Sequence, residues 1–412
     1  MHIKLADLLH QQNIHPVSLS SDGTEVERQT QDLITHSASG YVEYVIPTKS
    51  LGSSGNILLR ISLYRGLYPF VAVQDSKHAL KTARNQLLTG ARILILGFFA
   101  AFFAQLRELA INPAGPLFTR DVERLDRQDD RAAARTFSAS ALNFQMKEYS
   151  DQRGLSVYLF VLGELVDAWQ NRNISHVTRA KMVLRSRFFL MGWRSYIVAH
   201  PDYSTNIQFI SRESFDIFMT LTESLLSLIL IYRKYYSKYP LLPWLHSTEP
   251  CEHVFGVMRQ IKKDFTFADM LNAQAKLQAL LLGAFGDLSA EEQANQTAAG
   301  YHHTYFKADD LDIKELLRYP SDNDLADAAD AAFCEAEQLL LSVGINAKRM
   351  LNSYIAPEKR QRDPKSTPAQ GPQTIAQALA LYQAPLLAKE EARVEAYEMA
   401  LVADSIDRSL AL

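Results

Sequence analysis

Residues 68–85 read YPFVAVQDSKHALKTARN, an apolar run followed by a polar, basic one. Tyr68 to Gln74 is β-prone and nearly continuous in its apolar character, as a strand buried in a parallel sheet would be. Asp75 closes that strand, and His78, Lys81 and Arg84 follow at i, i+3 and i+6, the spacing of a helix. A strand running into a helix through a carboxylate places polar groups at the rim where α/β sheets do their chemistry. The plainer reading of the same residues is an Asp N-cap on an amphipathic helix with a solvated basic face.

Working outward, α/β texture is confined to the first 90 residues. Residues 2–13 read as a helix that ends at His15-Pro16, because the residue before a proline is pushed out of the helical region. Val17–Ser21 is a short strand closed by the turn pair Asp22-Gly23, Tyr41–Ile46 a second strand, and LGSSG at 51–55 a turn. From about Ser76 the pattern is helical: 78–110 with a buried apolar run at 93–104, then 121–150, 155–169, 176–199, 214–236, 250–260, 267–285 and 321–342. Residues 356–374 have a disordered composition, and 375–412 read as a peripheral helix. The fold class expected is mostly α with a small α/β part.

The chain has 412 residues, a formal net charge of −3, 47% hydrophobic and 22% charged residues, and two cysteines, Cys251 and Cys334. Such a composition excludes wholesale disorder, a disulfide framework and a cysteine-rich zinc site, and it fits a reducing compartment, nuclear or cytoplasmic. Near-neutral charge excludes a protein that grips nucleic acid by bulk positive field, leaving local patches open. The longest apolar run, Ile93–Ala104, has 12 residues and falls short of the roughly 20 that a bilayer needs, so no membrane role is expected.

A second segment carries chemistry: Ser247-Thr248-Glu249-Pro250-Cys251-Glu252-His253-Val254-Phe255-Gly256. Thr248 followed by Cys251 makes no capping box, which leaves Glu252 without a capping role on a helix whose Val254, Phe255 and Met258 face a core. A metal-dependent hydrolase built from Glu249, Glu252 and His253 is one reading, though H-E-x-x-H or comparable ligand spacing is missing.

Taken with Ser20-Ser21-Asp22-Gly23, these segments resemble the ribonuclease-H-like core of DDE transposases of the P-element-type and hAT-like group. The matching features are Asp22-Gly23 at a strand end, the D-x-x-H-x-x-K-x-x-R-N string from Asp75 to Asn85, a long helical stretch, and E-H-x-F-G from Glu252. The stretch LFVLGELVDAWQNR at 159–172 also resembles insertion-domain sequence of fungal relatives.

That resemblance implies a truncated ribonuclease-H-like sheet (1–90), an all-helical insertion (91–245), a return of the core (246–285) and a helical C-terminal region (286–355). It implies two-metal phosphoryl transfer on DNA, with Asp22 and Glu252 as catalytic carboxylates that ligate Mg²⁺ or Mn²⁺. His78, Lys81 and Arg84 would contact DNA, and Asp75 would support the motif. The Asp22 and Glu252 carboxylates should then lie within about 8 Å, given a metal spacing near 4 Å. The family's first catalytic Asp, which precedes the Asp22 strand, has no counterpart here, and neither does its zinc-bearing DNA-binding domain. The chain is therefore expected to be catalytically incompetent by itself, the alternative being a non-catalytic DNA-binding or protein-interaction scaffold. The Val17–Ser21 strand should be a sheet edge, left bare or covered by Tyr41–Ile46, a homo-oligomer or a partner strand.

Other candidates read as structural. His302 and His303 suit a loop, Trp169, Trp193 and Trp244 a core, and Cys251 a small buried position. The basic set Arg179, Lys181, Arg185, Arg187 and Arg194 is equally a phosphate-binding stripe or a solvated face.

Overall fold

The computed structural model describes residues 2–285, apart from 37, 39, 51–55, 65 and 124–125, together with residues 311–346. His302, His303, the 356–374 segment and the 375–412 helix lie outside the described residues.

A four-stranded sheet is built from β1 (Ser18–Ser21), β2 (Gly40–Pro47), β3 (Asn56–Tyr64) and β4 (Tyr68–Gln74) in the order β1-β4-β3-β2. β1 runs parallel to β4, from Ser18 opposite Val71 to Ser21 opposite Gln74, whereas β2–β3 and β3–β4 are antiparallel. The sheet is thus mixed, and β2 lies at the far edge rather than covering β1. β3 went unread in NILLRISLY, although burial alternates over its first six residues, with Ile57, Leu59 and Ile61 buried and Asn56, Leu58 and Arg60 exposed. Helix α1 (His2–Gln11) precedes β1, and α2 (Glu25–His36) follows it. α2 is stitched to the sheet by the buried Gln31 amide, which donates to the carbonyls of Leu19 and Val73.

Beyond α3 (Ser76–Leu88) the 93–104 run is not helical. It forms a hairpin, β5 (Leu94–Leu96) with β6 (Phe99–Ala101), and only then enters α4 (Phe103–Ile111). Gly97, at φ +61, makes the two-residue turn, and a Cβ there would sit 2.0 Å from the Val343 carbonyl oxygen. The hairpin's polar groups find partners far along the chain: Ile93 and Ile95 donate to Ile207 and Gln208, and Trp193 Nε1 donates to Ile95 O at 2.6 Å. Short helices α5 (Arg120–Glu123), α6 (Asp130–Thr136) and α7 (Ala139–Glu148) replace the expected 121–150 element.

The long helices are α8 (Arg153–Gln170), α9 (His176–Ala199) and α10 (Arg212–Tyr235). By length and composition α10 could cross a membrane, which the sequence reading missed, but 78% of its apolar window is buried in the protein. After the 3₁₀ turn Pro243–Leu245 come α11 (Glu249–Ile261), α12 (Phe267–Asn272) and α13 (Gln274–Phe285), then α14 (Ile313–Leu316) and α15 (Asp322–Ser342). One continuous core joins sheet residues such as Ile46 and Val73 to α8–α10 and to Phe333 and Leu340 of α15. Trp169, Trp193 and Trp244 are all buried. α11–α13 keep a satellite core of their own around Val257, Met258 and Leu277.

Burial of α9 on nearly every side disposes of its basic stripe. Arg179 is fully buried and caps the end of α8 through the carbonyls of Ala168 and Asn171. Lys181 and Arg185 pair with Glu335, Arg185 also with Glu164, and Arg187 with Glu223. Arg194 stacks over Phe215 at 4.9 Å. Neither the phosphate stripe nor the solvated face describes these residues.

Candidate functional site

The parallel register that sets Ser21 opposite Gln74 brings Asp22 and Asp75 side by side at the ends of β1 and β4. Behind Asp22 the chain turns at Gly23 (φ +84), where a Cβ would lie 2.8 Å from Gln74 Oε1 and 2.9 Å from Ile217 Cδ1. Only glycine combines that φ with that approach.

Asp75 is 3% exposed, and both of its oxygens are committed. Oδ1 caps α3, accepting from the amides of Lys77 (2.8 Å) and His78 (3.1 Å). Oδ2 accepts from the amide (2.9 Å) and hydroxyl (2.8 Å) of Thr248, which leads into α11. Two donors on each oxygen exhaust the usual lone-pair directions of a carboxylate. Burial alone would raise the Asp75 pKa, but the hydrogen bonds from His78 and Thr248 hold it far below the usual carboxylate range. Both earlier readings of Asp75 therefore meet in one residue, an N-cap that also organises the motif.

Through that contact α11 reaches the rim. Ligand atoms of Asp22, His78 and Glu252 all lie within 4.8 Å of one another, inside the separation required of the two carboxylates. His78 Nδ1 is 3.4 Å from Asp22 Oδ1 and 3.7 Å from Asp75 Oδ1. Burial opposes the charged imidazolium, yet the bond to Asp75 and the charges of Asp22 and Asp75 raise its pKa overall, against a counter-effect of Lys81. The Glu252 carboxyl is also raised, first by burial and then by Asp75 and Asp130, with His78 and Lys81 opposing. Lys81 Nζ lies 3.0 Å from Asp130 and 3.2 Å from His78 Nε2. A cleft of about 330 Å³ opens beside these groups, lined by Asp22, Thr24, His78, Lys81, Asn85 and Gln128 among others.

No family model matches the chain, and no curated protein matches it. Among solved structures it is similar to the Drosophila P element transposase strand transfer complex, at 14% identity and a TM-score of 0.48. The match covers 68% of this chain and 63% of that one, so the chain spans less than two thirds of that neighbour.

Arg84 does not face the cleft. It is 1% exposed and donates to the carbonyls of Asp121 (2.9 Å), Asp126 (3.2 Å) and Asp129 (3.3 Å), stapling the loop before α6 to α3. Its assignment to DNA fails because the guanidinium is buried and both of its terminal nitrogens donate inside the protein. Glu249 pairs with Lys77 at 2.6 Å and His253 is buried, so the hydrolase grouping of Glu249, Glu252 and His253 does not form at the cleft. Cys251 is exposed, not buried. The sequence marks Thr248 only as a failed capping residue; its bond to Asp75 is not legible there, since that partner is 173 positions away and no local pattern marks it.

Proposed function

We propose that the chain is a transposase-derived, DNA-binding protein with a ribonuclease-H-like core that holds one divalent ion at the ends of β1 and β4. The observation that carries this is the convergence of Asp22, His78 and Glu252 within 4.8 Å. The donor set fits such an ion: two carboxylates supply hard oxygen and anionic charge, and a cation would offset the burial, and then the repulsion from Asp75 and Asp130, that raise the Glu252 pKa. An imidazole among the donors suits Mn²⁺ better than Mg²⁺, which prefers an all-oxygen shell.

Two-metal chemistry calls for a third free carboxylate, and Asp75 has none to give because Thr248 and the α3 amides saturate it. Strand transfer by this chain alone is therefore not part of the reading. When bound, the ion would supply Lewis-acid attraction for a phosphate oxygen. Lys81, Thr24, Asn85 and Gln128 would orient a DNA backbone across the cleft by charge and hydrogen bonding.

Calorimetric titration of the purified chain with MnCl₂ and MgCl₂ tests this, alongside DNA binding by fluorescence anisotropy with and without EDTA. We expect one Mn²⁺ per chain, its loss in Asp22→Asn and Glu252→Gln, and no strand cleavage. Mn²⁺ affinity unchanged in both variants would overturn it.

A further inference from the structure

We propose that Asp75 and Thr248 form a latch that delivers Glu252 to the cleft, which makes Thr248 a positioning residue of the metal site; this rests on the metal reading above. Helix α11 has little hold of its own on the main core. Its buried Val257 and Met258 pack with Leu277 of α13 in the satellite cluster, separate from the core that unites the sheet with α8–α10. What ties its first turn to the sheet rim is polar. Thr248 places both its amide and its hydroxyl on Asp75 Oδ2, and Lys77 Nζ meets Glu249 Oε2 at 2.6 Å.

Glu252 sits one helical turn from that tie, its amide bonded to Thr248 O at 3.1 Å. The backbone of Glu252, from which its carboxylate reaches Asp22 and His78, therefore moves with Thr248. Thr248 also departs from ordinary helix-capping behaviour: its backbone is in the αR region and its side chain makes no capping bond to α11. A threonine before a helix normally turns its hydroxyl back onto the N2 or N3 amide. Here the hydroxyl faces outward to a carboxylate 173 residues earlier, which is the arrangement a latch requires. A segment joined by few buried contacts opens more readily than the core it touches, so the polar tie decides how often Glu252 is in place.

Two readouts test the latch on the full chain. In the first, Mn²⁺ affinity is measured from the free-ion electron paramagnetic resonance signal. Thr248→Val, which keeps the shape and the amide but removes the hydroxyl, should weaken binding at least tenfold, and Thr248→Ser should restore it to within twofold. In the second, which needs no metal, spin labels on Cys251 and on Val198→Cys are compared in a Cys334→Ser background; Cys251 and Val198 are both exposed. The label-to-label distance distribution should be narrow with Thr248 and Thr248→Ser, broad with Thr248→Val, and broader still when Lys77→Met is added. An unchanged distribution in Thr248→Val overturns the latch. If the wild-type chain binds no Mn²⁺ while Thr248→Val still broadens the distribution, the metal reading falls and the latch stands.

Discussion

His78 joins the two strand ends: its ring nitrogen Nδ1 lies 3.4 Å from Asp22 Oδ1 while its own amide donates to Asp75 Oδ1 at 3.1 Å. A residue assigned from sequence to the DNA backbone thus stands among the carboxylates. His78→Ala should lower Mn²⁺ affinity by more than about tenfold, a loss of roughly 1.4 kcal/mol or more. DNA affinity measured in EDTA should fall far less. Titration calorimetry and anisotropy on the same preparations check the pair; the opposite ranking would return His78 to the DNA.

Arg84 gives a contrasting expectation. Truncating it to Met removes the side-chain donor of the buried Asp121 carbonyl, whereas the carbonyls of Asp126 and Asp129 keep the amides of Asp129 and Ala133. A buried acceptor left unpaired costs about 1–3 kcal/mol. The urea midpoint should drop strongly, while the protein that remains folded should bind DNA as before. A stable Arg84→Met chain with weakened DNA binding would reverse the assignment made here.

The fully buried His176 sets an acid limit. Its Nε2 contacts Leu316 O at 2.9 Å, its ring stacks on Tyr319, and its Nδ1 has no hydrogen-bond partner. Burial chiefly lowers its pKa from 6.5 to about 4, with Arg179 adding to the effect and the Leu316 carbonyl opposing it. Between those values the unfolded chain carries the extra proton and the folded one does not. This group's contribution is therefore intact above pH 6.5 and is lost as pH falls toward 4, by at most about 1.4 kcal/mol per pH unit. Urea denaturation at pH 7, 6, 5 and 4 should show that slope, and His176→Gln should flatten it.

Gly97→Ala tests the hairpin. An added methyl would meet Val343 O at 2.0 Å from a residue at φ +61. Backbone strain alone is of order 1–3 kcal/mol, before the collision is counted. Thermal unfolding should move down by several degrees, whereas Gly90→Ala, also at positive φ but with open space around it, should move less.

Much of this architecture was legible locally. The period of α8, α10 and α15 shows in their apolar residues, and Asp75 announces a strand-to-helix junction because an N-cap signals within three residues. The hairpin at 94–101 was not legible, since ILILGFFAAFFA is apolar throughout and has no period to separate helix from strand. Its backbone is satisfied by residues 207–208 and Trp193, which no local pattern reveals. The same holds for Arg84 and the α9 arginines. Basic residues at helical spacing look solvated until the acids and carbonyls that absorb them arrive from elsewhere in the chain.

Helix α15 makes that arrival a matter of timing. Glu335 pairs with Lys181 and Arg185, 154 and 150 residues earlier, and Phe333 packs edge-on against Phe188, so the last described helix closes a face of α9 made long before it. At about 5–20 residues per second of synthesis, that face waits roughly 8–30 s for its cover. During that interval the nascent chain presents an apolar helix flank to whatever is nearby. The yield is therefore expected to rise with added chaperone, and a permuted gene that places residues 311–346 ahead of α8 should remove that gain.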